Sequence, residues 1–173
     1  YSCNMYNTGS QSKKEGSFVG ELKRAIFQEL MTSAASYPVV TVIGARQSGK
    51  TTLVKTAFPK KAYVSLEDPD IRSFAVEDPR HFLEQYPDGA IIDEIQRVPL
   101  LLSYIQGIVD KKEILGLFIL TGSHQLSLQE EISQSLAGRT GILHLIPLSI
   151  EELRQEALER DLDQHLFHGF YPR

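Results

Sequence analysis

The hydrophobic and polar positions of the chain fall into two rhythms. From Ser17 onward, Leu22, Ile26 and Leu30, with Phe18 and Phe27 alongside, recur at helical spacing and predict an amphipathic helix over about Ser17 to Ser33. Ser36-Tyr37-Pro38 ends it, since the residue before a proline is pushed toward extended geometry. Val39 to Ile43 is then a near-continuous apolar run, the pattern of a strand buried on both faces of a parallel sheet. Ala90-Ile91-Ile92-Asp93-Glu94 and Leu117 to Leu120 read the same way, the first closing on two carboxylates and the second on Thr121-Gly122-Ser123. Ala62 to Leu66 alternates and breaks at Glu67-Asp68-Pro69, and Ile142 to Ile146 is the last strand before Pro147.

Helical patterns lie between these runs. Leu53, Val54 and Ala57 mark one that stops at Phe58-Pro59. Two short helices follow the alternating strand, the second with Asp78 as cap and Pro79 in its first turn, and Tyr86-Pro87-Asp88-Gly89 is a turn. Pro99 opens a helix that buries Leu101, Leu102, Ile105, Ile108 and Val109. Leu126, Leu128, Ile132 and Leu136 mark another, which runs to Gly138, and Ser149-Ile150-Glu151-Glu152 has the spacing of a capping box that starts a last helix. Strand and helix thus alternate about five times, which predicts an α/β fold with a parallel sheet sandwiched by helices and one further helix at the N-terminal side. No internal repeat is present.

Length and composition narrow the picture only a little. A chain of 173 residues suits one domain with a real core. Tyr1 to Gly16 is polar and aperiodic and is expected to be a flexible tail, which leaves 17–173 as the domain. The formal charge of -4 supplies no general basic field, so affinity for nucleic acid would need a local patch. No run approaches the apolar length of a membrane helix, and the polar start has none of the character of a secretory signal. The lone Cys3 cannot form an internal disulfide, which fits a cytoplasmic setting.

The candidate chemistry begins at the first strand. Gly44-Ala45-Arg46-Gln47-Ser48-Gly49-Lys50-Thr51 fits G-x-x-x-x-G-K-[ST], the phosphate-binding loop whose backbone N–H groups wrap nucleotide phosphates. The motif needs a strand before it and a helix after it, and both are predicted. Gly44 and Gly49 allow backbone dihedrals that a β-carbon would resist. Lys50 is expected against the β and γ phosphates, Thr51 on Mg²⁺ and Thr52 near the α phosphate, with the helix N-terminus adding favourable potential.

A second part is Asp93-Glu94. A phosphate-loop enzyme needs an acid at the end of a neighbouring buried strand to hold its metal, a role for Asp93. Glu94 is then placed to orient and polarise the attacking water. The hydroxyls of Thr121 and Ser123 form a third part, with Ser123 preferred as the one that meets the γ phosphate or the water. Gln96 either faces that water or is surface. Arg139, at a helix end, is the arginine best placed to reach another subunit's nucleotide, against a bland reading as a solvated helix-terminal charge, and Arg46 and Arg97 are weaker candidates. The five histidines show no metal-ligand spacing, so no structural zinc is expected.

Taken together, GARQSGKTTL, YVSLEDPD, YPDGAIIDEIQRVPLL, GLFILTGSHQ, SLAGR and LIPLSIEEL resemble the ATPase domain of the "AAA domain, family 14" proteins of bacteria and archaea, among the AAA+ and archaeal-type P-loop ATPases. The resemblance covers about Glu21 to Arg173. It implies ATP and Mg²⁺ as ligands. It also implies a P-loop NTPase sheet of AAA+ type, in which the strand ending in Thr121-Gly122-Ser123 lies between the strands of the phosphate and acidic loops. Carried over residue by residue, Lys50 and Thr51 fall on the phosphate loop, Asp93 and Glu94 on the acidic motif, Ser123 on the sensor position and Arg139 on the family's Gly-Arg. Family members usually continue into a larger C-terminal domain, and His168 to Arg173 resembles their linker, so the resemblance implies an ATPase domain cut before that part.

The leading expectation is therefore hydrolysis of ATP to ADP and phosphate by the motor or switch domain of a larger prokaryotic ATPase. The chain carries no Asn-Lys-x-Asp guanine signature for a GTPase. A nucleotide-gated binding module, controlling a partner by ATP occupancy, would carry the same motifs, and a small-molecule kinase shares the fold. A homo-oligomer is expected if Arg139 acts across subunits, and the protein or nucleic-acid partner is not identified by the sequence.

Overall fold

A computed structural model of the chain describes residues 24–123, 126–155 and 170. Its elements, in order, are α1 (Phe27–Ser36), β1 (Val39–Gly44), α2 (Lys50–Ala57), β2 (Ala62–Ser65), α3 (Pro69–Glu77), α4 (Pro79–Glu84) and β3 (Ala90–Asp93). A single 3-10 turn (Ile95–Arg97) follows, then α5 (Leu101–Lys112), β4 (Phe118–Ser123), α6 (Leu126–Ser135), β5 (Thr140–Leu145) and α7 (Ile150–Gln155). The expected tail, the start of the first helix and the stretch resembling a linker lie outside the described residues, apart from Phe170.

All five strands are parallel and stand in the order β2-β3-β4-β1-β5. β4 is therefore flanked by β3, which carries the acids, and by β1, which carries the phosphate loop. The connection leaving β1 runs to the far edge at β2, whereas the one leaving β4 passes over β1 to reach β5. Ligands of open α/β sheets bind at the carboxyl ends of strands where connections diverge in this way.

The apolar runs bury both faces because each side of the sheet has its own helical layer. Val40, Val42, Ile91, Ile119, Leu143 and Leu145 pack with Leu30 of α1 and with Leu53 and Val54 of α2. Val39, Ile43, Ala90, Ile92, Phe118 and Leu120 pack on the opposite side with α3 to α6, chiefly Phe82, Leu102, Ile105, Leu128 and Ile132. Alternation within each strand divides the two sets, as the two-residue period of a strand requires.

Boundaries differ from the sequence reading in instructive ways. Arg24, Ala25 and Ile26 form a turn rather than helix, because the Ala25 N–H and the Arg24 side chain are engaged by Glu152 of α7. α1 then continues to Ser36, where Tyr37 turns extended ahead of Pro38. β3 stops at Asp93, and Glu94 leaves the strand with φ 60°, in the left-handed region, as the cap of the 3-10 turn. β4 continues past the apolar run through Thr121-Gly122-Ser123 because β1 offers partners as far as Gly44.

Other local signals act as expected. The Asp78 carboxylate accepts from the His81 N–H at 3.1 Å with Pro79 in the first turn of α4, and Asp68 caps α3 in the same way ahead of Pro69. Such caps contribute about 1 kcal/mol each. In the turn before β3, Gly89 has φ 78°, and a Cβ there would lie 1.7 Å from the Leu117 carbonyl oxygen, so only glycine fits. Ser149 and Glu152 form the reciprocal capping box at the start of α7.

Candidate functional site

The site lies at the carboxyl ends of β1, β3 and β4. The phosphate loop leaves β1 at Gly44 and returns to helix at Lys50 through two residues in the left-handed region, Gln47 (φ 62°) and Gly49 (φ 90°). The two motif glycines are needed for different reasons. Gly49 is required by its dihedral, whereas Gly44 is not in that region, and is required because a Cβ would lie 2.3 Å from the Leu145 carbonyl oxygen of the neighbouring strand. Ala45 and Gly49 are half-buried, Arg46 and Gln47 are exposed, and Ser48 is fully buried with its hydroxyl unpaired among the described residues.

Lys50 is 5% exposed. Its ammonium donates to the Gly44 and Ala45 carbonyls at 3.0 and 2.9 Å, curling back over the loop. Burial pulls its pKa down, with Arg46 adding to that effect, while the nearby Glu94 and Asp93 charges act in the opposite sense. The ammonium thus sits in the loop with hydrogen-bond partners that a stronger acceptor can replace. Thr52, two positions further along the helix, is exposed.

Three hydroxyls converge on Asp93. Thr51 Oγ1 donates to Oδ2 at 2.9 Å, Tyr63 Oη donates to the same oxygen at 2.8 Å, and Thr121 Oγ1 donates to Oδ1. Thr51 opens α2, Tyr63 lies on β2 and Thr121 on β4, so the acid at the end of β3 is held from three other elements. Burial, together with the hydrogen bond to Asp93, pushes the Tyr63 phenol up to about 12, so it stays a donor throughout the neutral range. The Lys55 ammonium lies 3.4 Å from the centre of the Tyr63 ring and packs that side chain in place. Thr51 and Asp93 together form a hard-oxygen donor set of the kind Mg²⁺ takes beside phosphate and water, so the residues present fit that ion.

Glu94 belongs to a second cluster. Gln96 Nε2 donates to Glu94 Oε2 and, at 3.3 Å, to Ser123 Oγ. Ser123 Oγ in turn donates to the same Glu94 oxygen at 3.4 Å, and the Ser123 N–H donates to Gln96 Oε1 at 3.3 Å. Gly122 makes this possible, since a Cβ there would meet Gln96 Oε1 at 3.0 Å and the Leu128 side chain at 2.5 Å. The two hydroxyls of Thr121-Gly122-Ser123 are thereby separated. Thr121 is fully buried, accepts the Glu94 N–H at 3.3 Å and fixes the acids, whereas Ser123 reaches the carboxylate of Glu94.

The arginines are distributed differently. Arg46 and Arg97 both approach Glu67 Oε1, at 3.4 and 3.9 Å, on the exposed rim above the loop. Arg139 is not brought to the phosphate loop of its own chain. It precedes β5, its carbonyl accepts the Val39 N–H at 3.1 Å, and Gly44 lies at the other end of β1, on the order of 16 Å away by strand rise. Its guanidinium forks onto both oxygens of Asp110 on α5, and that fork holds the Asp110 carboxyl below its ordinary range.

Of the residues singled out in the sequence, the structure brings Lys50, Thr51, Asp93, Glu94 and Ser123 to these strand ends, with Gln96 bonded to Glu94 and Ser123; Tyr63 on Asp93 and Arg24 on the Ser48 carbonyl were not singled out there. The one local signal for Tyr63 was a large polar-tipped ring in an alternating edge strand. Arg24 carried no signal, because its partners lie 24, 122 and 128 positions away. No helix among the described residues is long and apolar enough to cross a membrane.

The pattern described as "AAA domain", AAA_14, matches residues 36–154, which takes in every element from β1 to most of α7. Two uncharacterized mycobacterial proteins, from Mycobacterium tuberculosis and Mycobacterium bovis, are 32% identical over 126 residues, covering 71% of this chain and 28% of theirs. The chain thus spans a little over a quarter of the length of the curated relatives it matches. Among solved structures, AMPPCP-bound DnaA from Aquifex aeolicus is similar with a TM-score of 0.54 at 17% identity, over 90% of this chain and 54% of that one. A Walker-type ATPase of Pyrococcus abyssi is similar with a TM-score of 0.51 at 16% identity, over 80% of this chain and 59% of that one.

Proposed function

The chain belongs to the AAA domain family AAA_14, and from that membership we propose that it binds ATP with Mg²⁺ and hydrolyses it to ADP and phosphate, as the motor or switch domain of a larger ATPase. The observation that carries this reading is the 2.9 Å hydrogen bond from Thr51 Oγ1 to Asp93 Oδ2, across 42 residues of sequence. It joins the end of the phosphate loop to the acid at the end of β3, across the intervening β4, in the pairing that suits ATP-Mg.

In this reading the amides of Gly44 to Gly49 wrap the β and γ phosphates and Lys50 moves from the loop carbonyls onto them, with Thr52 beside the α phosphate. Thr51 and Asp93 hold Mg²⁺, which supplies charge neutralisation at the same phosphates when bound. Glu94 orients a water against the γ phosphorus and takes its proton as the bond to the bridging oxygen breaks. Ser123 hydrogen-bonds the γ phosphate or that water. The DnaA likeness, to a structure bound to AMPPCP, supports an adenine nucleotide.

The test is binding of ATP, ADP and GTP with and without Mg²⁺, together with phosphate release in the absence of any acceptor. Tight Mg²⁺-dependent ATP binding with phosphate release is expected. Release only when a small-molecule acceptor is added would replace the hydrolase with a kinase. The Gln96 bond to Glu94 favours one second reading, a nucleotide-gated module, because it occupies the carboxylate that must meet water. Single-turnover hydrolysis slower than nucleotide exchange would establish that alternative.

Arg139 enters as a residue that acts on a second copy's nucleotide, since it cannot serve its own. Activity per chain is then expected to rise with protein concentration, and Arg139→Ala to abolish the rise. Specific activity that stays constant across the range where the protein self-associates removes the idea.

A further inference from the structure

Arg24 lies just ahead of α1 and is 9% exposed. Its guanidinium donates in three directions: Nε to Glu152 Oε1 at 3.0 Å, Nη1 to the Ser48 carbonyl at 2.8 Å and Nη2 to the Ile146 carbonyl at 2.6 Å. Glu152 is 7% exposed, and its oxygens also accept the Ala25 N–H at 2.9 Å and the Ser149 N–H at 2.8 Å. Burial pushes the Glu152 carboxyl up, but the Ser149 and Ala25 amides and the Arg24 guanidinium outweigh it and leave it below its ordinary value. One planar fork thus joins four parts of the chain: the segment before α1, the phosphate loop, the end of β5 and the first turn of α7.

The bond to Ser48 acts where the loop is least able to set its own shape. Ser48 lies between two residues with positive φ, Gln47 and Gly49, outside any helix or strand ladder. Its carbonyl shares a planar trans peptide with the Gly49 N–H, and the two point in opposite directions. Holding the carbonyl on Arg24 therefore holds the Gly49 N–H on the side away from the guanidinium. In a phosphate loop that N–H is one of the amides that meet the anion. A lysine could not do this in the same way, since an ammonium is a point donor and lacks the fixed fork of an arginine.

We propose that Arg24 is a positioning residue of the phosphate loop, setting the Gly49 amide for phosphate through the Ser48 carbonyl, and that Glu152 ties this setting to the position of α7. The inference rests on the ATP reading above. It makes α7 a lever on the nucleotide, because a displacement of Glu152 withdraws the partner that aims the fork.

The test compares wild type with Arg24→Lys, Arg24→Ala and Glu152→Gln, measuring ATP-Mg affinity by calorimetry, thermal stability, and the Gly49 amide resonance with and without ATP. Arg24→Lys keeps a cation beside Glu152 and is expected to fold. Its ATP affinity should fall about tenfold or more, the order set by losing a hydrogen bond from a charged donor. The ATP-induced shift of the Gly49 amide should fall with it, a readout that a merely structural arginine would not move. Glu152→Gln should change both readouts in the same direction by a smaller factor. Arg24→Ala should add a loss of stability, and if it does not fold, Arg24→Lys decides. Wild-type affinity and a wild-type Gly49 shift in Arg24→Lys overturn the inference, and wild-type values in Glu152→Gln overturn the tie to α7. A wild-type chain that binds no ATP-Mg overturns the nucleotide reading itself.

Discussion

Lys50→Ala is expected to weaken ATP-Mg binding by at least about 100-fold, or about 2.7 kcal/mol. The ammonium is nearly buried in the loop and rests on two backbone carbonyls, 3.0 and 2.9 Å away. Burial lowers its pKa, which reflects how poorly solvent screens that position. Phosphate oxygens carry charge and carbonyls do not, so binding exchanges two ammonium–carbonyl contacts for ammonium–phosphate ion pairs. Alanine removes those contacts and leaves the triphosphate against a loop without its cation. The cost to the free chain is far smaller. The Gly44 and Ala45 carbonyls lose a donor, a loss of about 1 kcal/mol, or about 2–4 °C in Tm. Titration calorimetry and a thermal melt on the same sample separate the two effects. Binding within a few-fold of wild type would show that Lys50 does not meet the phosphates.

Glu94→Gln should leave ATP affinity within a few-fold of wild type and slow hydrolysis about 100- to 10,000-fold, the range for loss of a general base. The substitution is nearly isosteric. Gln96 Nε2 and Ser123 Oγ can still donate to an amide oxygen at position 94, so the cluster that holds the side chain is preserved. What is lost is the charge that orients and deprotonates water. Rapid-quench measurement of phosphate formation, with ATP binding followed in parallel, checks the split. Hydrolysis at the wild-type rate would remove Glu94 from the assigned role.

The parts of the site that were legible in the sequence are those whose geometry is set within a few residues. Gly44 to Thr51 form a loop whose shape follows from the spacing of two glycines and a helix start. Asp93 was legible as the first polar residue after a buried apolar run. The Asp78 and Ser149 caps depend on hydrogen bonds spanning three residues, and both formed as read. The local rule failed at Glu94. Adjacency to Asp93 suggested a strand residue, yet the chain turns into the left-handed region there, and this swings the carboxylate toward Gln96 and Ser123. The preference for Ser123 over Thr121 had no geometric ground in the sequence. Side chains two apart share a face of a strand. Burial and the positions of Asp93 and Gln96 separate them.

The sequence by itself determined the elements, the phosphate loop, the acids at a strand end and the family to which the chain belongs, because each is written in residues close enough to be linked by one helix turn, one strand period or one motif. The family resemblance implied that β4 lies between β1 and β3, and only the tertiary structure decided the side chains that meet there. The order β2-β3-β4-β1-β5 puts Asp93 beside Thr51, Tyr63 and Thr121, sends Arg139 to the opposite end of the sheet, and brings Arg24 and Glu152 together across 128 positions. Parallel strands need crossover connections, and the register those connections impose is a property of the packed sheet. Residues far apart in the chain become neighbours only once that sheet exists.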